Sequence, residues 1–166
     1  MPKIKERFLL DTNIYGELLL DKDFELLMEK MMNQCVVHGF KVIRNELRAV
    51  PTKIKVENKN LRIGLLHIYD ELIKHGYTST KEIVNLAEDY YVLYKKLGGS
   101  KGSDEMRNDL LIVACASVNQ VDIVVSEDCK SMLSENAIKA YEFVNLIRKK
   151  RTPNFIGYLK LKRLLI

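Results

Sequence analysis

Short apolar runs that stop at polar residues mark the predicted strands of this chain. Three of them lie at 8–10, 40–43 and 123–125, and each is followed by polar or acidic side chains. A brief apolar run bounded by a polar turn is typical of a buried strand in a parallel sheet. We therefore predict a short central parallel sheet, with 141–144 as a candidate edge strand.

Helical spacing of the apolar residues predicts the elements between and after these strands. The predicted helices cover 14–37 with a break near Asp21, a brief stretch from Arg44 that Pro51 stops, 61–75, 80–97, 103–116, and a last amphipathic stretch that Pro153 opens. The polar and basic residues at 52–60 are interpreted as a loop or the end of the preceding helix. Helices 61–75 and 80–97 form a predicted helical hairpin, inserted between the second and third strands of an α/β fold.

Acidic side chains recur where the predicted strands end. Asp11 follows the first strand, Glu46 lies just past the second, and Asp128 follows the third. In open α/β sheets, ligands bind outside the carboxyl ends of the strands, so we expect these three at one edge. Asp109 begins the apolar part of helix 103–116, where an unpaired carboxylate would be costly to bury. Taken singly, Asp11 also suits a helix N-cap and Glu46 a solvated first helical turn.

A cluster of four carboxylates limits the chemistry of the predicted site. Like charges at one place are tolerated if they take up protons or hold a hard cation. Oxygen ligands suit Mg²⁺ or Mn²⁺ rather than Zn²⁺, and no His or Cys cluster competes for the assignment. One or two such ions can activate a water and stabilise an in-line displacement at phosphorus. The sequence therefore favours metal-dependent hydrolysis of a phosphodiester.

Composition and charge narrow this picture only slightly. The 166 residues show no internal repeat and no change of composition, which indicates one domain over 1–166. A formal net charge of +5 weakly favours a polyanionic partner. The basic run 148–151 is either a solvated turn or a patch that contacts phosphate.

Cysteine usage and hydropathy indicate the compartment. Cys35, Cys115 and Cys129 show no metal-ligand spacing, and an odd count without a secretion signal is typical of a reducing cytoplasm. No apolar run is long enough to span a bilayer. We therefore expect a cytoplasmic protein with no membrane partner.

Four motifs, in order along residues 9–128, carry a resemblance to a known family. They are Leu9-Leu10-Asp11-Thr12-Asn13, Glu46 after the second strand, Asp109-Leu110-Leu111-Ile112-Val113-Ala114, and Val124-Val125-Ser126-Glu127-Asp128. With these motifs the sequence resembles the PIN-domain family of metal-dependent ribonucleases, which includes the toxin subunits of many prokaryotic toxin–antitoxin pairs. The resemblance implies a three-layer α/β/α fold.

The resemblance also implies roles for the acidic residues. Asp11, Glu46, Asp109 and Asp128 would line the catalytic site and hold Mg²⁺ or Mn²⁺. Asp11 and Asp109 would be direct ligands. Glu46 and Asp128 would complete the shell, partly through water.

Other positions match the family less completely. Asn13 and Ser126 stand at small polar positions that support the site in the family, although Thr is common where Ser126 stands. Asp104 and Glu127 are additional acids near the site, and the resemblance leaves open whether they join it. Where the family often carries an acidic residue followed by Phe, this chain has Lys and Ser at 130–131, so we expect that support to be missing.

Three functions compete at this point. The first is a metal-dependent endoribonuclease that cleaves RNA, either as a toxin neutralised by a separate antitoxin protein or as an RNA-processing enzyme. The second is a non-catalytic RNA-binding or scaffold domain, which would predict a broken acidic set, whereas all four positions are acidic. The third is a response-regulator type of α/β protein, which the long insertion at 61–97 fits badly. The resemblance further implies a homodimer, for which the apolar faces of 61–97 are a candidate interface.

Overall fold

The fold is built around a central apolar strand near the start of the chain. The computed structural model describes residues 4–166, so residues 1–3 of the predicted domain lie outside the described part. The strands are β1 Arg7–Leu10, β2 Val36–Phe40, β3 Lys55–Val56, β4 Lys59–Asn60, β5 Ile73–Tyr77, β6 Ile123–Val125 and β7 Asn154–Ile156. Five of them form a parallel sheet in the order β5-β2-β1-β6-β7, and β3 and β4 form a separate antiparallel hairpin.

Helices cover both faces of the sheet. They are α1 Thr12–Leu19, α2 Phe24–Gln34, α3 Lys41–Arg48, α4 Leu61–Leu72, α5 Lys81–Lys96, α6 Ser103–Val118, α7 Glu135–Arg148 and α8 Tyr158–Leu165. Helices α5, α6 and α7 pack together in one layer, while α1 packs against α2, α3 and α4 in the other. The predicted three-layer α/β/α fold is confirmed.

The most buried helix delivers one of the candidate site residues. Every residue of α6 from Leu110 to Ser117 is buried, as the apolar sequence predicts. Strand β1 is equally enclosed, with Leu9 and Leu10 fully buried. Removing this apolar surface from water is the main force that holds α6 against the sheet. Asp109 precedes the buried segment and is therefore fixed at its entrance.

The second strand lies earlier than predicted. It covers Val36–Phe40 rather than 40–43, and α3 begins directly at Lys41. The helical region 14–37 breaks after Leu19, in agreement with the predicted break near Asp21, but it ends at Gln34. Strand pairing of Val36 and Val37 with β1 and burial of one face of α3 decide these boundaries. Glu46 consequently lies in the second turn of a helix instead of at a strand end.

Strands also occur where helices were predicted. Strand β5 lies between α4 and α5, so the predicted helical hairpin over 61–97 is interrupted by an edge strand of the main sheet. Residues 141–144 are part of α7, and the other edge strand is β7. Helix α8 therefore begins at Tyr158 rather than directly after Pro153. Within residues 4–166, no helix has the length and hydropathy needed to cross a membrane.

The stretch 52–60, interpreted as a loop, forms the hairpin of β3 and β4. Its turn residues Glu57 and Asn58 have φ angles of 50° and 65°, and a type I′ hairpin turn requires two positive φ angles. The Asn60 side-chain amide donates to the Thr52 carbonyl at 2.8 Å and closes the base of the hairpin. This hairpin connects α3, which carries Glu46, to α4.

Candidate active site

Asp11 lies at the carboxyl end of β1 and is 5% exposed. Its Oδ1 accepts the backbone N–H of Thr12 at 2.8 Å, so the carboxylate caps α1. Its Oδ2 accepts the Ser126 hydroxyl at 2.6 Å and, more weakly, the Asn13 amide at 3.4 Å. Asp11 therefore caps α1 and also contacts Asn13 and Ser126, the two residues predicted to support it.

Glu46 reaches the same place from α3. Its carboxylate accepts the Thr12 hydroxyl at 3.0 Å, and the nearby Asn108 side chain acts to lower its pKa. Thr12 follows Asp11 directly, and Asn108 precedes Asp109. Glu46 is thus held between the first and the third of the predicted acidic positions.

Asp128 and Asp109 are joined through a serine. The Ser131 hydroxyl lies 2.6 Å from Asp109 Oδ2 and also hydrogen-bonds Asp128 Oδ2. The backbone N–H of Ser131 donates to Asp128 Oδ1 at 3.1 Å. The backbone N–H of Asp128 in turn donates to the Ser126 hydroxyl at 3.1 Å, which links this pair back to Asp11.

The four predicted carboxylates therefore lie in one closed ring, which we call the acid ring. Going round it, small polar groups alternate with the acids in the order Glu46, Thr12, Asp11, Ser126, Asp128, Ser131, Asp109 and Asn108. The connections are hydrogen bonds, apart from the two covalent steps between neighbouring residues and the approach of the Asn108 side chain to Glu46. The ring sits where β1 and β6 end, which is the edge at which α/β sheets bind ligands.

Three acids of the ring have carboxyl pKa values above their usual range. The pKa of Asp109 is raised to about 7, first by burial and then by the neighbouring charges of Asp11, Asp128 and Glu46, against the lowering effect of the Ser131 hydrogen bond. Burial also raises the pKa of Asp11, despite the hydrogen bonds from Ser126 and Thr12. Burial raises the pKa of Glu46 in the same way, with a contribution from Asp11. Strongly shifted acids in one cluster are typical of functional sites.

The geometry at Ser131 bears on the protonation of Asp109. Ser131 hydrogen-bonds the carboxyl groups of both Asp109 and Asp128. A hydroxyl has a single hydrogen, so it can donate fully to one of them only. With a pKa of about 7, Asp109 is an acid that readily holds a proton at this position.

No basic side chain in the described part of the chain neutralises the acid ring. Each ion pair of residues 4–166 involves other acids. Over the same residues, no group of three or more His, Cys, Asp or Glu side chains is arranged to hold a metal ion. Mg²⁺ commonly takes one or two carboxylates and keeps several waters, so an oxygen-only ring with raised pKa values fits that ion by its chemistry.

The two additional acids do not join the ring. The Glu127 carboxylate accepts the backbone N–H of Tyr158 and so caps the start of α8. Asp104 is exposed in the first turn of α6. Asn13 accepts the backbone N–H of Glu127 at 3.4 Å, which ties the ends of β1 and β6 together.

Three residues of the ring were not predicted from the sequence. Thr12 was part of the first motif but had no assigned role, Asn108 was passed over beside Asp109, and Ser131 was counted as lost support. The structure corrects the last point, because Ser131 contacts two of the four acids. Its spacing of three residues after Asp128 suits a local side-chain to backbone hydrogen bond and was the available signal.

The basic run 148–151 is largely paired within the protein. Arg148 pairs with Asp89, Lys150 with Glu82, and Arg151 with Asp122 at 2.7 Å. Lys149 ends α7 in a left-handed conformation with φ 56°. Of the two interpretations, a solvated helix end and turn describes this run better than a phosphate patch does.

Structures of VapBC and FitAB proteins are among the solved structures that share this fold. A chain in VapBC2 from Rickettsia felis, bound to a DNA fragment from its promoter, superposes with a TM-score of 0.60 at 15% identity, covering 91% of this chain and 98% of that one. A chain in VapBC-1 from nontypeable Haemophilus influenzae gives 0.57 at 16% identity, covering 92% and 98%. DNA-bound VapBC from Salmonella typhimurium gives 0.59 at 10% identity, with the same coverage.

The chain has the PIN-domain fold. The resemblance seen in the sequence is thus confirmed at the level of the fold. No protein-family model matches the sequence, and no curated protein matches it. At these identities the activity of this PIN fold has to be argued from its own side chains.

Proposed function

We propose that this PIN-fold protein is a Mg²⁺- or Mn²⁺-dependent endoribonuclease, and that it acts as the toxin of a toxin–antitoxin pair. The observation that carries the proposal is the acid ring, in which four carboxylates converge without a basic partner in residues 4–166. Such a cluster stores like-charge repulsion, which a divalent cation relieves. A non-catalytic scaffold would gain nothing from keeping all four acids.

The residues of the ring would share the work as follows. Asp11 and Asp109 would hold the ion directly, and Glu46 and Asp128 would act partly through water. A bound Mg²⁺ or Mn²⁺ would supply the positive charge that polarises the phosphodiester and activates a water. Ser126 and Ser131 orient the carboxylates, since each hydroxyl contacts an acid at 2.6 Å. Asp109 would give up its proton when the ion binds, because metal ligands must be deprotonated.

The antitoxin part of the proposal rests on the structural neighbours. The neighbouring chains come from VapBC and FitAB structures, and three of these are bound to DNA. We therefore propose a separate antitoxin protein as a partner of this chain. A homodimer stays a prediction, which sedimentation at high protein concentration would test.

The proposed activity is tested by incubating the purified protein with labelled single-stranded and structured RNAs. Reactions contain Mn²⁺, Mg²⁺ or EDTA, and they compare the wild type with Asp11→Asn, which keeps size and removes charge. Asp122→Asn is the matched control, because Asp122 lies at the opposite end of β6 and outside the ring. We expect cleavage that needs metal, disappears in Asp11→Asn and persists in Asp122→Asn.

Two outcomes would contradict the proposal. Equal cleavage by the wild type and Asp11→Asn would identify a contaminating nuclease. Absence of cleavage together with absence of Mn²⁺ binding in a calorimetric titration would show that the acid ring is not a metal site, whichever RNA is offered.

A further inference from the structure

The positive charge of this chain is concentrated in one segment beside the acid ring. Residues 41–62 contain seven Lys and Arg side chains and two acids, a net charge of +5. The formal charge of the whole chain is also +5, so the remaining residues hold as many acids as cations. One of the two acids in the segment is Glu46, a member of the ring itself. The segment therefore places an excess of positive charge on this side of the molecule, and one of its cations, Arg44, is paired with Asp70.

The outer part of the segment is the basic hairpin, which we define as residues 52–60. Lys53, Lys55 and Lys59 are exposed on it. Among residues 4–166, no acidic side chain forms an ion pair with any of these three. In the β3–β4 pairing, Lys55 lies opposite Asn60 and Lys59 opposite Val56. Because neighbouring strand residues point to opposite faces, Lys55 and Lys59 lie on opposite faces of the hairpin.

The hairpin is within reach of the ring. Lys53 lies seven positions after Glu46 along the chain, which limits their backbone separation to about 25 Å even for a fully extended chain. Part of this connection is the end of α3, where the Ala49 N–H bonds the Glu46 carbonyl at 3.1 Å. A single-stranded nucleic acid commonly occupies a site of several nucleotides. One strand can therefore contact the hairpin and the ring together.

We propose that the basic hairpin binds the phosphate backbone of a single-stranded RNA and guides it to the acid ring. This inference rests on the proposed nuclease function, because a nuclease of this kind has to bring a negatively charged RNA to a negatively charged site. A ring of carboxylates repels a polyanion, so the substrate must be held by positive charge elsewhere. The narrow hairpin carries ammonium groups on both faces, which suits a single backbone.

The side-chain chemistry of the hairpin favours RNA over an acidic protein. Protein–protein interfaces are depleted of Lys and are anchored by buried aromatic or apolar side chains. On the basic hairpin the large exposed apolar side chain is Ile54, which is 42% exposed. Lysine ammonium groups are effective point charges for phosphate oxygens. The basic run 148–151 lacks this capacity because three of its side chains are paired within the protein.

The test measures RNA affinity as a function of salt. In an Asp11→Asn background, Lys53→Gln, Lys55→Gln and Lys59→Gln are combined. The control combines Lys5→Gln, Lys74→Gln and Lys149→Gln, which are equally exposed and lie near the amino-terminal edge of the sheet. Fluorescence anisotropy of a labelled 20-nucleotide single-stranded RNA is recorded between about 50 and 200 mM salt. We expect the slope of log K against log salt to fall by about 2 in the hairpin variant, because each lost phosphate contact contributes about 0.7.

The outcomes test the proposed RNA binding by the hairpin separately from the proposed nuclease activity. Equal slopes for the hairpin and control variants would overturn the inference, even if the wild type cleaves RNA. A hairpin variant that keeps its RNA affinity but loses an acidic protein partner would overturn it in favour of a protein surface. When the three lysine substitutions are made in the protein that keeps Asp11, we expect a raised KM and an unchanged kcat for RNA cleavage. A changed salt slope in a protein that never cleaves RNA would support the hairpin and contradict the proposed nuclease.

Discussion

Strand β6 has an aspartate at each end, and the two lie in opposite electrostatic surroundings. At the amino-terminal end, Asp122 accepts the backbone N–H of Arg7 at 2.8 Å and the guanidinium of Arg151 at 2.7 Å. Burial acts to raise the pKa of Asp122, but these partners outweigh it and hold that pKa below its usual value. At the carboxyl end, Asp128 joins three further acids through hydroxyl groups, and two of those acids are themselves largely buried.

The difference shows what each edge of the sheet is built for. The amino-terminal edge satisfies its charge within the chain, which makes it a stabilising element. The carboxyl edge concentrates like charge and raises three carboxyl pKa values, which costs folding free energy. Acids with raised pKa values cluster at functional sites, and for this reason we propose the carboxyl edge as the functional one.

The largest expected difference in cleavage rate is between a variant that lacks one acid at the carboxyl edge and a variant that lacks one acid at the amino-terminal edge. Asp109→Asn should lower kcat for RNA cleavage roughly a thousandfold, about 4 kcal/mol, because the ring loses a direct ligand. Asp122→Asn should leave cleavage within about threefold and lower the free energy of unfolding by about 1 kcal/mol, because it weakens hydrogen bonds to a charged group. Steady-state kinetics and urea unfolding measure the two effects. A comparable loss of activity in both variants would remove the distinction between the edges.

Metal binding should depend on pH at the carboxyl edge. Asp109 must lose a proton to bind an ion, and its pKa is about 7. The stabilisation by Mn²⁺ should therefore be larger at pH 8 than at pH 6, reaching about 2.7 kcal/mol when the ion is present at a hundred times its Kd. Thermal unfolding with Mn²⁺ and with EDTA measures it, and calorimetry in buffers of different ionisation enthalpy should show proton release. Identical stabilisation at the two pH values would show that Asp109 is not a ligand.

Without metal, the two edges should respond to pH with opposite signs. The folded-state pKa of Asp109 is raised from 3.8 to about 7, so the folded protein binds the extra proton. Stability from this group is present below about pH 4 and is lost as the pH rises to about 7, by an upper limit of roughly 4 kcal/mol. Asp122 has a lowered pKa, so its contribution is present above pH 4 and is lost in acid. Urea midpoints in EDTA should fall between pH 5 and 7.5 in the wild type, and the fall should be smaller in Asp109→Asn.

The sequence predicted the acids of the carboxyl edge better than it predicted the elements that carry them. Asp11, Glu46, Asp109 and Asp128 all lie in the ring. Glu46, however, was placed just past a strand although it lies inside α3, because the residues at 40–43 fit a strand as well as they fit a helix. The segment is helical because a helix buries Ile43 and Leu47 on one face of α3. This burial depends on the rest of the fold and cannot be seen in the local sequence.

The edge strands were missed for a related physical reason. Strand β5 contains Lys74, His75 and Gly76, all exposed, so it has no apolar run to mark it. It forms because β2 offers a row of unpaired backbone groups beside it. Three uncharged members of the ring, Thr12, Asn108 and Ser131, were missed because a single small polar residue gives no pattern along the chain. Their roles depend on which acids the fold brings near them.

The smallest effect compares two serines three residues apart. Ser131→Ala removes the hydroxyl between Asp109 and Asp128, and it should lower metal affinity about tenfold, because the groups that orient metal ligands contribute at least that much. Ser134→Ala removes the N-cap of α7, where the Ser134 hydroxyl accepts the Ala137 N–H at 3.4 Å. Both should lose about 1 kcal/mol of stability in EDTA. Only Ser131→Ala should weaken Mn²⁺ binding in a calorimetric titration. If both serines weaken it equally, the change reflects the α7 region as a whole, and Ser131 does not orient the site.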